Sequence, residues 1–242
     1  QMYIDHHALF APITKATLAM RHDNVAQILA KAIHIATSEP RGPVHIDLPE
    51  DVAMAEAIDH IPNLLIATGI PAASDDDIGK AIDILQGANR PIAILGSTAM
   101  RIDDNSALQR FVEHHNLPFM TTTMAKGLID DDHPLALGCI ERGCRQHQRA
   151  LLHSADLIVG LGYDTIEVEY EAWIDDVPLL QIDIDTVDVV DSVRLCHEVT
   201  GDLESSLERL CQFDSAANNW TTKLLDSHRA AFQNLLRPES AA

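Results

Sequence analysis

Five short apolar runs, at residues 92–95, 118–122, 156–160, 179–184 and 198–200, are separated by stretches with helical spacing. In the stretch before the first run, Ile78, Ala81, Ile82 and Leu85 recur at three- and four-residue intervals behind Ser74-Asp75-Asp76-Asp77, an N-cap followed by an acidic first turn. Further helices are expected over 105–115, 145–152 and 203–211, the last N-capped by Asp202. Short buried strands that alternate with helices specify a parallel, doubly wound sheet, because each parallel strand needs a long crossover to return. Right-handed crossovers then cover both faces with helices. The fold class expected is therefore α/β.

The first seventy residues do not complete such a domain. A helix is expected over 24–38, where Val25, Ile28, Leu29, Ala32, Ile33 and Ala36 share one face. It leads through Gly42-Pro43 into a strand at 44–48 that Pro49 ends. Such a strand normally closes an α/β domain, yet what precedes it is too short to be one. Residues 51–74 carry Pro62, Gly69 and Pro71 with no sustained period, and read as a linker with short ordered pieces. The expected organisation is 1–55 as the tail of one domain, 56–74 as linker, 75–212 as a second domain, and 213–242 as a helical linker. In that last piece Trp220, Leu224, Leu225 and Phe232 form an apolar stripe. The chain thus reads as an excerpt of a longer protein.

Composition narrows the function. The net charge is −20, and a chain so acidic repels phosphate backbones, so nucleic-acid and anionic-membrane partners are not expected. No apolar run approaches the ~20 residues that span a bilayer. Cys139, Cys144, Cys196 and Cys211 form no C-x-x-C pair, and the free thiols fit a cytoplasmic protein. The histidine pairs His6-His7 and His114-His115 lack the i, i+4 spacing of a metal site.

In order, the segments 9–15, 41–52, 89–96 (N-R-P-I-A-I-L-G), 121–129 with Asp132-His133-Pro134-Leu135 and Leu137-Gly138, 155–162, 181–185 and Gly201-Asp202 resemble thiamine-diphosphate enzymes of the acetolactate synthase type. The resemblance implies a pyrimidine-domain tail followed by the central domain, a Rossmann-like fold of the DHS-like NAD/FAD-binding type. It also implies, for the parent protein, decarboxylation of a small 2-oxo acid and addition to an acceptor, with thiamine diphosphate and Mg2+ bound outside this chain. The parent would be a homo-oligomer, dimer or tetramer, and the segment alone would be inactive. Gln1 and Lys15 are the residues it places nearest the parent's catalytic centre.

Gly96, Ser97 and Thr98 follow the first strand of the second domain, where an open α/β sheet usually binds its ligand. The ordinary reading is that a glycine there makes a tight strand-to-helix turn. In relatives that hold FAD the same edges line the flavin nucleotide, and the matching positions are Gly96, Ser97, Thr122, Thr123, Met124, Asp164, Asp183, Ile184, Asp202 and Leu203. Two departures weigh against FAD: Ser97 stands where the family has a second glycine, and Glu141 replaces a glycine of its G-M-H-G. Asp183 and Asp185 resemble the acidic residue that binds a ribose hydroxyl; Asp185 could equally start a turn. Lys126 could meet a phosphate or simply be solvated. A different class of function, a stand-alone FAD, ADP or NAD module, uses the same positions, and a third reading is a purely structural domain with an empty cleft. If a nucleotide does bind there, replacing Gly96 by leucine is expected to abolish binding and spare the fold.

Overall fold

The computed structural model describes residues 4–56, 58, 60, 62, 69–165, 167, 173–187, 193–215 and 217–236. They divide into two compact units, Gln1–Gly69 and Ile70–Ala242.

The first unit contains a two-stranded parallel sheet. Strand β1 (Ala16–Ala19) pairs in register with β2 (Val44–Asp47), Ala16 opposite Val44 and Ala19 opposite Asp47. Helix α1 (His6–Phe10) precedes them, α2 (Val25–Thr37) makes the crossover, and α3 (Glu50–Met54) follows. The expected helix and closing strand are both present; α1, β1 and α3 add to them. Among the described residues of this unit only Met20 and Ala32 are buried hydrophobics. Lys15 donates from Nζ to the carbonyls of Ile35 and Ser38, each at 2.7 Å, so its ammonium caps the end of α2. Gln1 lies outside the described residues.

The second unit is a six-stranded, wholly parallel sheet in the order β5-β4-β3-β6-β7-β8. The strands are β3 (Pro91–Leu95), β4 (Phe119–Thr121), β5 (Ala136–Cys139), β6 (Leu157–Leu161), β7 (Leu179–Asp183) and β8 (Leu195–Thr200). The chain winds outward from β3 through β4 to β5, then crosses back to β6 and winds the other way. The order reverses between β3 and β6, and this switch point opens a crevice beyond their carboxyl ends.

Alternate side chains divide the core. Ala93, Leu95, Val159, Leu161, Leu180 and Ile182 face one buried cluster, while Ile92, Ile94, Ile158 and Leu179 face the other. The first cluster is closed by α4 (Asp75–Gly87), α5 (Ser106–His114) and α7 (Leu203–Leu210), through residues such as Ile82, Phe111 and Leu207. The second is closed by α6 (Arg145–Leu152), by Trp173 and Trp220, and by Leu225 of α8 (Thr222–Leu236). With aliphatic residues on both faces, these strands read as continuous apolar runs.

Local chemistry sets the ends. Ser74 accepts a hydrogen bond from the Asp77 amide and so caps α4, and Asp202 does the same for α7 through Ser205. The Asp156 carboxylate accepts the amides of Asn89 (2.8 Å) and Arg90 (2.7 Å), which fixes the start of β3 beside β6. Trp220 donates from Nε1 to the Pro91 carbonyl at 2.7 Å, and the Arg90 guanidinium lies 4.4 Å above its ring.

Candidate functional site: the strand-edge cradle

At the switch point the turns after β3 and β6 touch. Gly96 donates to the Leu161 carbonyl (3.0 Å) and Thr98 to the Gly162 carbonyl (3.1 Å). A Cβ on Gly96 would come 2.3 Å from the Gly162 oxygen, and one on Gly162 would come 2.4 Å from the Ala99 nitrogen. Gly162 also has φ +57°, a conformation that favours glycine. Both glycines are therefore required by backbone packing. The expectation that leucine at Gly96 would spare the fold is corrected here, since its Cβ would overlap neighbouring backbone.

A side chain meets the amide of Ser97. The Glu167 carboxylate accepts the Ser97 amide and the Ser97 hydroxyl on Oε1, both at 2.7 Å. The same oxygen accepts the Asp164 amide at 3.2 Å. Oε2 accepts the fully buried Thr122 hydroxyl at 2.7 Å. Donors from three strand ends thus converge on one carboxylate. This is the geometry in which a sheet edge holds an anionic group.

The remaining sequence-derived positions separate into two groups. Ser97, Thr122 and Asp164 join the cradle through Glu167, and Asp183 ends β7 as a buried residue. The Asp183 carboxylate accepts the Ile184 amide (2.7 Å) and the Gln181 side-chain amide (3.0 Å). Burial pushes its pKa up to about 6; those two hydrogen bonds and Arg101 oppose the shift, and the charge of Asp164 adds to it. Burial, with Glu167 and Asp164, likewise pushes the Tyr163 phenol up. Thr98 is held by the Gly162 carbonyl, while Thr123 and Met124 are exposed. Asp185 accepts the Thr186 amide at 2.8 Å, a turn, and Asp202 is the cap of α7. Lys126 pairs with Asp131.

Sequence reasoning missed Glu167. It is an acidic residue in an acidic chain, three positions past Asp164, and no motif marks it. Only the path of the segment after β6 brings it to Ser97 and Thr122. Glu141, which the sequence reading singled out, accepts the Cys144 amide from its carbonyl (3.3 Å), and its side chain lies where a Cβ on Gly143 would stand.

A separate cavity of about 780 Å3 lies between the start of α6 and the end of α8, lined by Arg142, Cys144, Arg145, His147 and Leu235 among others. It shares no lining residue with the cradle.

The model of the thiamine pyrophosphate enzyme central domain matches residues 78–210, more than half of the chain. The chain belongs to this family. It is 30% identical over 233 residues to a protein named as an acetolactate synthase large subunit of Methanococcus aeolicus, which covers 89% of this chain and 39% of that one. It is 33% identical over 163 residues to the glyoxylate carboligase of Escherichia coli O157:H7, covering 66% of this chain and 27% of the relative. The chain thus spans well under half the length of these curated relatives. A solved structure of a protein named as a thiamin diphosphate-dependent enzyme, from Mycobacterium smegmatis, superposes with a TM-score of 0.71 at 22% identity, over 90% of this chain and 43% of that one. That likeness shows the fold: a mixed α/β chain with a six-stranded parallel sheet.

The family is that of thiamine pyrophosphate enzymes. Among the described residues no group of three His, Cys, Asp or Glu side chains could hold a metal ion. A flavin pyrophosphate does not fit the cradle as it stands. The donors it would need are bonded to Glu167, and a phosphate beside Glu167, Asp164 and Asp183 would meet like charge at short range in a partly buried crevice.

Proposed function

We propose that this chain is the pyrimidine-domain tail and central domain of a thiamine-diphosphate-dependent enzyme that decarboxylates a small 2-oxo acid and joins the product to an acceptor. The division is 1–55 for the tail, 56–74 for the linker, 75–212 for the central domain, and 213–242 for the helical segment beyond it. The observation that carries the reading is the match over 233 residues to an acetolactate synthase large subunit, which crosses both compact units. The slight core of the first unit supports it, because two parallel strands with so few buried hydrophobics cannot form a stable domain alone.

In this reading the central domain is a brace. Its sheet holds the switch-point loops rigid, and the chemistry with thiamine diphosphate and Mg2+ belongs to the rest of a cytoplasmic homo-oligomer, a dimer or tetramer. No helix among the described residues is long and apolar enough to cross a membrane.

The test compares the purified 242-residue chain with the product of the uninterrupted reading frame around it. Each is assayed for CO2 release and for ligated product from pyruvate and from glyoxylate, with and without thiamine diphosphate and Mg2+. The longer protein is expected to turn over one of these acids only with the cofactor, and the short chain neither. Cofactor-dependent turnover by the short chain would sink the reading, as would its absence from the longer protein with both acids.

A further inference from the structure

We propose that Glu167 is the resident ligand of the strand-edge cradle: the chain fills its own anion site with a carboxylate. Four donors converge on Glu167, from the Ser97 amide, the Ser97 hydroxyl, the Asp164 amide and the Thr122 hydroxyl. They come from the ends of β3, β4 and β6, so the site is not the terminus of one short helix. Thr122 is fully buried and Ser97 half-buried, which shields these bonds from water.

A buried hydroxyl and amide left without an acceptor are costly, so the cradle needs an anion or a water in place. Glu167 supplies it from within the chain, free of the entropy a separate ligand would lose on binding. A dinucleotide could enter only by displacing Glu167, which would strand that carboxylate beside Asp164. The site therefore takes a carboxylate or a phosphate, and it admits one from solution only when Glu167 is gone. The proposal rests on this geometry alone and not on the 2-oxo-acid reading. Its test reads anion binding and not turnover, so either idea can fail without the other.

The probes are sodium acetate, inorganic phosphate, ADP and FAD, added to the full chain and to Glu167→Ala. Wild type should show no saturable binding of ADP or FAD by calorimetry, and its thermal midpoint should respond to acetate and phosphate no more than to sodium chloride of equal ionic strength. Glu167→Ala should melt several degrees lower. Acetate or phosphate at millimolar concentration should restore part of that loss where chloride does not, and ADP should bind the variant saturably. ADP or FAD binding to wild type as tightly as to the variant would overturn the proposal, and so would a variant indifferent to acetate and phosphate.

Should Glu167→Ala fail to fold, the isosteric Glu167→Gln decides. Its amide oxygen can still accept from Ser97 and Asp164 but without the charge, so hydrogen exchange at those two amides should quicken severalfold. Exchange unchanged from wild type would show that the carboxylate does not hold them.

Discussion

Asp183 and two histidines show how burial sets the response of single residues to pH. The Asp183 pKa is pushed up from 3.8 to about 6, so the unfolded chain releases this proton first as pH rises. Stability linked to it is fully present below about pH 4 and is lost as pH rises through about 6, a total of roughly 3 kcal/mol. Asp183→Asn keeps an oxygen for the Ile184 amide and cannot ionise. Its stability relative to wild type should therefore improve by about 2 kcal/mol between pH 4 and pH 8. Urea titrations at the two pH values measure this, and taking the difference removes any pH-independent loss at Gln181. Equal differences at both pH values would contradict it.

His115 and His228 act in the opposite sense. Burial, helped by His114 and His147 respectively, pushes both down from 6.5 to about 4. The unfolded chain takes up these protons first, so stability present above pH 6.5 is lost as pH falls toward 4. His115 packs 4.9 Å from Phe111, ring centre to ring centre, at 2% exposure, and His115→Phe should flatten this acid limb. Urea midpoints at pH 7.5 and 5 should differ less in the variant than in wild type; an unchanged difference would remove His115 as a cause.

At the scale of elements, β5 and α8 depend on each other. Gly138, in β5, has φ +93°, and a Cβ there would come 2.4 Å from the Phe232 ring of α8. Next to this contact Gln148 donates to the carbonyls of Leu137 and Cys139, each at 3.1 Å, and accepts His228 at 2.8 Å. The His147 and His228 rings stack at 4.0 Å, tying α6 to α8. Gly138→Ala should both strain the strand and push Phe232 outward. We expect loss of about 1–3 kcal/mol and earlier proteolytic cleavage within residues 222–236. A variant with wild-type stability and cleavage pattern would refute the coupling.

These elements also show what the sequence made legible. Helix α6 was expected over 145–152, and α4, α5 and α7 were expected within a few residues of where they lie, because periodic apolar faces and side-chain caps are local signals. Strand β5 was not expected: it has four residues, contains a glycine at positive φ, and pairs only with β4 across a register irregularity. Strand β1 escaped for a similar reason, being four residues of modest hydrophobicity stabilised by a partner 28 positions later. The candidate site was half legible. Glycines and hydroxyls after strands mark a sheet edge, but which loop reaches them is decided by tertiary packing, and so Glu167 was silent.

At the scale of the molecule, the order of the strands explains both the cradle and the limits of the second unit. Local pattern gives parallel strands, but only packing places β6 beside β3 and brings their turns together. The same packing leaves one sheet face to be covered by residues from the C-terminal segment. Trp220, Leu225 and Phe232 are each less than a tenth exposed, and Trp220 and Leu225 join the buried cluster with Ile92, Ile94, Met120 and Ile158. Residues 70–74 are equally engaged, since the Pro71 carbonyl accepts the Asp202 amide at 2.8 Å and the Ala73 carbonyl accepts Arg209 at 2.5 Å. A chain of residues 70–236 should thus fold cooperatively without the first unit. Ending it at 212 exposes the second cluster, and removal of one large aromatic from a core already costs ~3–5 kcal/mol against a typical domain stability of ~5–15 kcal/mol. The 70–212 chain should show a weakened near-ultraviolet signal, bind a hydrophobic dye and unfold without a sharp transition, while 70–236 unfolds in one step. Equal urea midpoints for the two chains would mean that α8 only lies against the sheet and does not complete its core.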